Sequence, residues 1–71
     1  MIRDRQNDNM KCGEISRQFE LTGKNATETK CCVECTDNPN CISMSGIWGE
    51  WCIGCNTDLD SEHNYAKAFK E

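Results

Sequence analysis

The chain has 71 residues, 37% hydrophobic and 28% charged, with seven cysteines, one proline and a net charge of −4. A chain this short forms one domain and hides only about 60% of the surface its unfolded form exposes, so cross-links or a metal are needed to hold it folded. No run reaches the roughly 18 apolar residues of a membrane span, and residues 31–71 carry two basic side chains against seven acidic ones, which excludes nucleic acid as a natural partner of that half.

Residues 1–9, MIRDRQNDN, are almost wholly polar and are expected to be an N-terminal arm that orders against a partner, with residues 10–71 forming the single domain. They hold no apolar stretch of the kind an export signal uses, so a targeting segment is not expected within this chain. Cys12, Ile15, Phe19 and Leu21 follow at mixed spacing, which predicts one short strand around Cys12 and another at Phe19 to Leu21. After Thr22-Gly23, Asn25 with Glu28 three residues on predicts a helix cap and a helix from about Ala26 to Thr36. That helix gathers Cys31, Cys32 and Cys35 within an arc of about 100°. Asp37-Asn38-Pro39-Asn40 reads as a turn, since proline disfavours helix in the residue before it.

Cys41 to Ser45 and Trp51 to Ile53 then predict a hairpin, with Gly46 and Gly49 as its turn residues. Asn56 to Asn64 reads as an acidic loop and Tyr65 to Phe69 as a closing strand. Together these elements predict a small α+β disulfide-rich domain with one helix packed on a short antiparallel sheet.

Two chemistries fit the cysteines at 12, 31, 32, 35, 41, 52 and 55. Cys32-x2-Cys35 and Cys52-x2-Cys55 lie 16 residues apart, a spacing that matches four-thiolate zinc sites, but such a site leaves Cys12, Cys31 and Cys41 without a role. The alternative is three disulfides and one thiol, for which seven cysteines allow 105 frameworks. A cysteine content near one residue in ten favours the disulfides and an oxidising setting, extracellular or in an organelle lumen.

The stretch TETKCCVECTDNPNCISMSGIWGEWCIGC, followed by AKAFK, resembles PAN/apple modules. In these a helix bears C-x3-C, an N-P-x-C turn leads into a hairpin, and a later cysteine closes the core. The resemblance spans roughly Lys11 to Lys70 and implies a nested pairing of Cys35 with Cys41, Cys31 with Cys52 and Cys12 with Cys55, leaving Cys32 as the odd thiol. The doubled Cys31-Cys32 departs from the family pattern and leaves open which of the two is unpaired. Members of that family bind proteins or carbohydrates, which is the class of partner the resemblance implies.

Other motifs carry less. Asn56, Asp58, Asp60 and Glu62 alternate like the first half of a calcium loop, yet Ser61 stands where glycine is required and Lys67 where a bidentate glutamate is, so a solvated acidic loop is expected. Asn25-Ala26-Thr27 is a glycosylation sequon. His63, the one histidine, is expected to be solvent-exposed among acids, and the odd thiol to be inert. Trp51 is expected to pack over a disulfide. Trp48 and Ile47, with Asp58, Asp60 and Glu62, form the expected contact surface.

No acid–base pair, phosphate loop or activated nucleophile stands out, so neither an enzyme nor a cofactor is expected. The leading expectation is a non-catalytic protein- or carbohydrate-binding or assembly module, including the case of a small structural subunit of a larger complex. The alternatives are an intracellular zinc-ribbon-like module holding zinc through Cys32, Cys35, Cys52 and Cys55, and a secreted cysteine-rich signalling protein.

Overall fold

Thr27 and Pro39 bracket the only long helix. In the computed structural model, which describes residues 1–71, α1 runs from Glu28 to Asp37. Its cap is Thr27, whose Oγ1 accepts from the Lys30 backbone N–H at 3.2 Å. Asn25, the expected cap, instead ends a short 3₁₀ turn over Gly23–Asn25, and its Oδ1 accepts from Lys30 Nζ at 3.0 Å. The threonine two residues later reaches the free N–H groups of the first turn, which is the geometry a cap requires. At the other end, Asn38 N–H donates to Cys35 O, and Asn38 Oδ1 accepts from Asn40 N–H, which turns the chain at Pro39.

Seven strands accompany α1: β1 (Ile2–Arg3), β2 (Met10–Lys11), β3 (Arg17–Thr22), β4 (Ser43–Ile47), β5 (Trp51–Cys55), β6 (Ser61–Glu62) and β7 (Lys67–Lys70). Five form an antiparallel sheet in the order β1-β7-β4-β5-β3, while β2 and β6 pair separately as a two-stranded ribbon. The expected hairpin is β4–β5. Gly49, at φ +87°, is in its turn, but Gly46 lies inside β4 opposite Cys52. A Cβ on Gly46 would sit 2.6 Å from the Cys52 Cβ, so the glycine serves close strand packing and not the turn.

Register sorts the side chains into two faces. Met44, opposite Gly54 and Phe69, joins Cys52, Ala26 and the α1 cysteines in one core beneath the helix. Ser45, opposite Ile53 and Ala68, marks the other face, where Ile53, Cys55 and Ala68 meet Cys12 and Leu59 under the ribbon. One helix packed on antiparallel strands with three disulfides is the small α+β disulfide-rich class expected.

Residues 1–9 are not a free arm. Ile2 pairs with Lys70 and Arg3 with Phe69, Asp4 N–H donates to Ala68 O, and Asn9 N–H donates to Ala66 O at 2.8 Å. The free edge of β7 offers backbone donors and acceptors that even a polar sequence can satisfy, so composition alone mispredicts this segment.

Candidate functional site

The bridges come first because they fix everything else. Cys12 is joined to Cys55, Cys31 to Cys52 and Cys35 to Cys41, across 43, 21 and 6 positions, and all six are buried. This is the nested set that the family resemblance implies, and it makes Cys32 the free thiol. By loop-closure entropy the three bridges contribute about 4.0, 3.4 and 2.4 kcal/mol, with nested loops less than additive. Cys35, Cys52 and Cys55, three of the four thiols in the alternative zinc set, are thus each bonded to a different cysteine. Three intramolecular bridges indicate an oxidising, extracellular-type setting. Cys32 is half-buried on α1 and packs against the helix-side core; burial pushes its thiol up, away from the reactive thiolate.

The expected contact residues are split by the fold. Ile47 opposes Trp51 on the ribbon side, whereas Trp48 folds back on the helix-side core with its ring 5.9 Å from Phe69. Asp58, Asp60 and Glu62 are exposed on and beside β6, anchored by the buried Leu59 between them. No three His, Cys, Asp or Glu side chains converge as metal ligands anywhere in the chain. Asn25 is exposed, and the Thr27 of its sequon is occupied as the helix cap.

What the fold brings together instead is a cleft of about 220 Å³ between the sheet and the ribbon, lined by Lys11, Arg17, Glu20, Trp51, Ile53 and His63. Four pieces of chain build it. The β3–β5 register places Glu20 opposite Ile53, and Thr22 opposite Trp51. A bulge between Arg17 and Phe19 lets Arg17 lie opposite Cys55 beside them. Lys11 comes from β2, held by Asp60 N–H donating to its carbonyl at 3.0 Å. His63 follows β6, its N–H donating to Asn9 O, and its ring meets Trp51 edge to face with centroids 4.9 Å apart. The Cys12–Cys55 bridge ties the two layers of the cleft together.

The tryptophan packs, as expected, against the cluster that holds the Cys12–Cys55 bridge, and the histidine departs from expectation. Trp51 is half-buried as a cleft wall, and His63 is half-buried against it instead of free among acids. The electrostatics are local: in a chain of net charge −4, Lys11 and Arg17 share the cleft with a single carboxylate, Glu20. Arg17 is poorly committed within the protein. Its Nη2 donates to Cys12 O at a long 3.4 Å, and its Nε is closed off without an acceptor. An unanswered buried donor costs about 1–3 kcal/mol, which a bound anion that draws the guanidinium outward would offset.

Sequence reasoning missed Lys11, Arg17 and Glu20 because nothing local marks them; they meet Trp51 only through long-range pairing. A second hollow of about 320 Å³ lies between α1 and β3, lined by Leu21, Asn25, Thr29, Lys30, Val33 and Glu34. It has no aromatic wall, and its one cation is already bonded to Asn25. Compared with known proteins, the chain matches no family model, no curated protein and no solved structure.

Proposed function

We propose that this chain is a non-catalytic binding module of the PAN/apple-like kind, working outside the cell or in an oxidising organelle lumen, with the Trp51 cleft as its ligand site. The nested cysteine pairing supports the PAN/apple reading, and the bridges support the compartment. The observation that carries the binding reading is the pairing of two cations with an aromatic wall in an otherwise acidic protein. Fixed charges in a walled cleft focus potential on a ligand of opposite sign. A site whose backbone is tied by a disulfide loses little conformational freedom when it fills. Its partner is a glycan or another protein, and assembly as a small subunit of a larger complex uses the same surface.

The test is to probe the oxidised protein against an array of extracellular glycans and a library of acidic peptides, beside the double variant Lys11→Glu/Arg17→Glu. The expected result is at least one probe held by the natural chain and lost by the variant, with the thermal midpoint of both proteins alike. Identical profiles for the two would refute the cleft as the binding site.

A further inference from the structure

We propose that the cleft takes a single acidic sugar residue of the hexuronate type, a six-membered ring bearing one carboxylate and several hydroxyls; this rests on the reading of the cleft as the binding site. Size sets the first limit. At about 220 Å³ the cleft falls below the range of about 300–1,000 Å³ that houses drug-sized ligands, so it encloses about one ring, and whatever is joined to that ring lies outside it.

The walls set the second limit. Trp51 and Ile53 give one side of the cleft an apolar surface, and the partial negative charge on an aromatic face attracts the C–H groups of a sugar ring. The perpendicular contact between the His63 and Trp51 rings fixes the orientation of that indole. Charge sets the third. Lys11 and Arg17 come from different layers, β2 and β3, so a carboxylate seated between them receives donors from both. The Arg17 guanidinium, with one long bond and an unanswered Nε, has donors to turn toward it.

Glu20 then discriminates. A carboxylate in the same cleft repels a ligand of multiple negative charge such as a phosphate or polysulfate, yet accepts from hydroxyls. A single anionic group with neighbouring hydroxyls satisfies all of the polar groups. The carboxylate of an aspartyl or glutamyl side chain answers the cations but brings no ring of C–H groups to lie on Trp51.

The experiment is a titration of the oxidised protein with three probes, methyl β-glucuronide, methyl β-glucoside and doubly capped aspartate, read by amide and indole N–H resonances and by calorimetry. Methyl β-glucuronide is expected to shift the Trp51 indole resonance and to bind at least about tenfold more tightly than the glucoside. Lys11→Gln should narrow that margin, weakening the glucuronide by a larger factor than the glucoside. Trp51→Phe should weaken both sugars while keeping the preference for the acid, provided its spectrum keeps the dispersion of a folded protein. Equal binding of the two sugars would overturn the inference, as would the absence of any cleft shift with the glucuronide. Capped aspartate moving the same resonances at matching strength would also overturn the sugar, and would leave the broader binding reading intact with an acidic protein as partner. The broader reading falls only if the Lys11→Glu/Arg17→Glu comparison on the full panel shows no difference.

Discussion

The two faces of the central sheet are held by different means. Beneath α1, a ten-residue helix with its own cap is fastened by two bridges, Cys31–Cys52 and Cys35–Cys41, over a core completed by Met44, Ala26 and Phe69. On the opposite face the covering layer is a ribbon of two-residue strands with one bridge, Cys12–Cys55, and a smaller core of Ile53, Leu59 and Ala68. A ribbon of that size has no stability of its own in water. The helix side is therefore local structure that has been stapled, whereas the ribbon side is a loop that exists as structure because it is stapled. The cleft lies on the second side, so its preorganisation depends on a single covalent link.

The largest expected effect tests that dependence. Opening Cys12–Cys55 by a double serine substitution should cost about 3.5 kcal/mol in a urea unfolding experiment, because the intact Cys31–Cys52 bridge inside it shortens the loop it closes, against about 2.4 kcal/mol for opening Cys35–Cys41. Amide exchange should separate the two further. Loss of the longer bridge should expose the ribbon amides of Met10 to Lys11 and Ser61 to Glu62 while leaving those of α1 protected. A greater loss from opening Cys35–Cys41 would show instead that the helix side carries the fold and that the ribbon is sustained by its hydrogen bonds.

A second substitution asks how tightly the helix side is closed. A Cβ at position 46 would meet Cys52 Cβ at 2.6 Å and the Trp51 carbonyl oxygen at 2.7 Å, contacts that only a backbone shift can relieve. Gly46→Ala is therefore expected to cost about 2–3 kcal/mol by thermal or urea unfolding. Gly13→Ala, where the added atom meets nothing within 4 Å, is the control and should stay within about 0.5 kcal/mol. A small effect at position 46 would mean that this face has slack between strands.

The same division explains what could be read in advance. Helix, hairpin and closing strand each have a local signature: the cysteine spacing on one face of α1, Pro39 after the helix end, and the glycine in the turn at 49. The ribbon has a signature on one side alone: a short strand is expected around Cys12 and lies at Met10–Lys11, whereas Ser61 and Glu62 read as acidic loop and become strand only by meeting Lys11 and Met10 some fifty positions away. Lys11, Arg17 and Glu20 are invisible as a site for the same reason, and the sequence does not tell which of two neighbouring indoles turns back onto Phe69. Asn25 reads as the cap because it heads an Asn-x-x-Glu pattern, a pattern satisfied equally well by a 3₁₀ turn that hands the cap to Thr27.

The N-terminal segment is the piece that touches both sides, and it gives the smallest and most specific effect. Arg3 lies 5.5 Å from the centre of the Phe69 ring, in the helix-side core, and its guanidinium forms a two-pronged ion pair with Asp8, the Nη2 to Oδ2 bond measuring 2.8 Å. Asp8 also accepts from the Ala68 N–H at 3.0 Å. The hydrogen bonds from Arg3, above all, lower the Asp8 carboxyl to about 2. A carboxylate whose folded value lies below its unfolded value of about 3.9 adds stability that is present in full above about pH 5 and disappears as pH falls from there through 2. With both side chains about a quarter exposed, solvent screening brings that contribution to about 1 kcal/mol. Asp8→Asn keeps an acceptor for Ala68 and removes the charge. It should be less stable than the natural chain by about 1 kcal/mol at pH 7, with the gap closing as pH is lowered through 2. A gap that stays constant with pH would show that the charge of Asp8 adds nothing, and would make the edge of β7, and not the ion pair, the tie between the two halves.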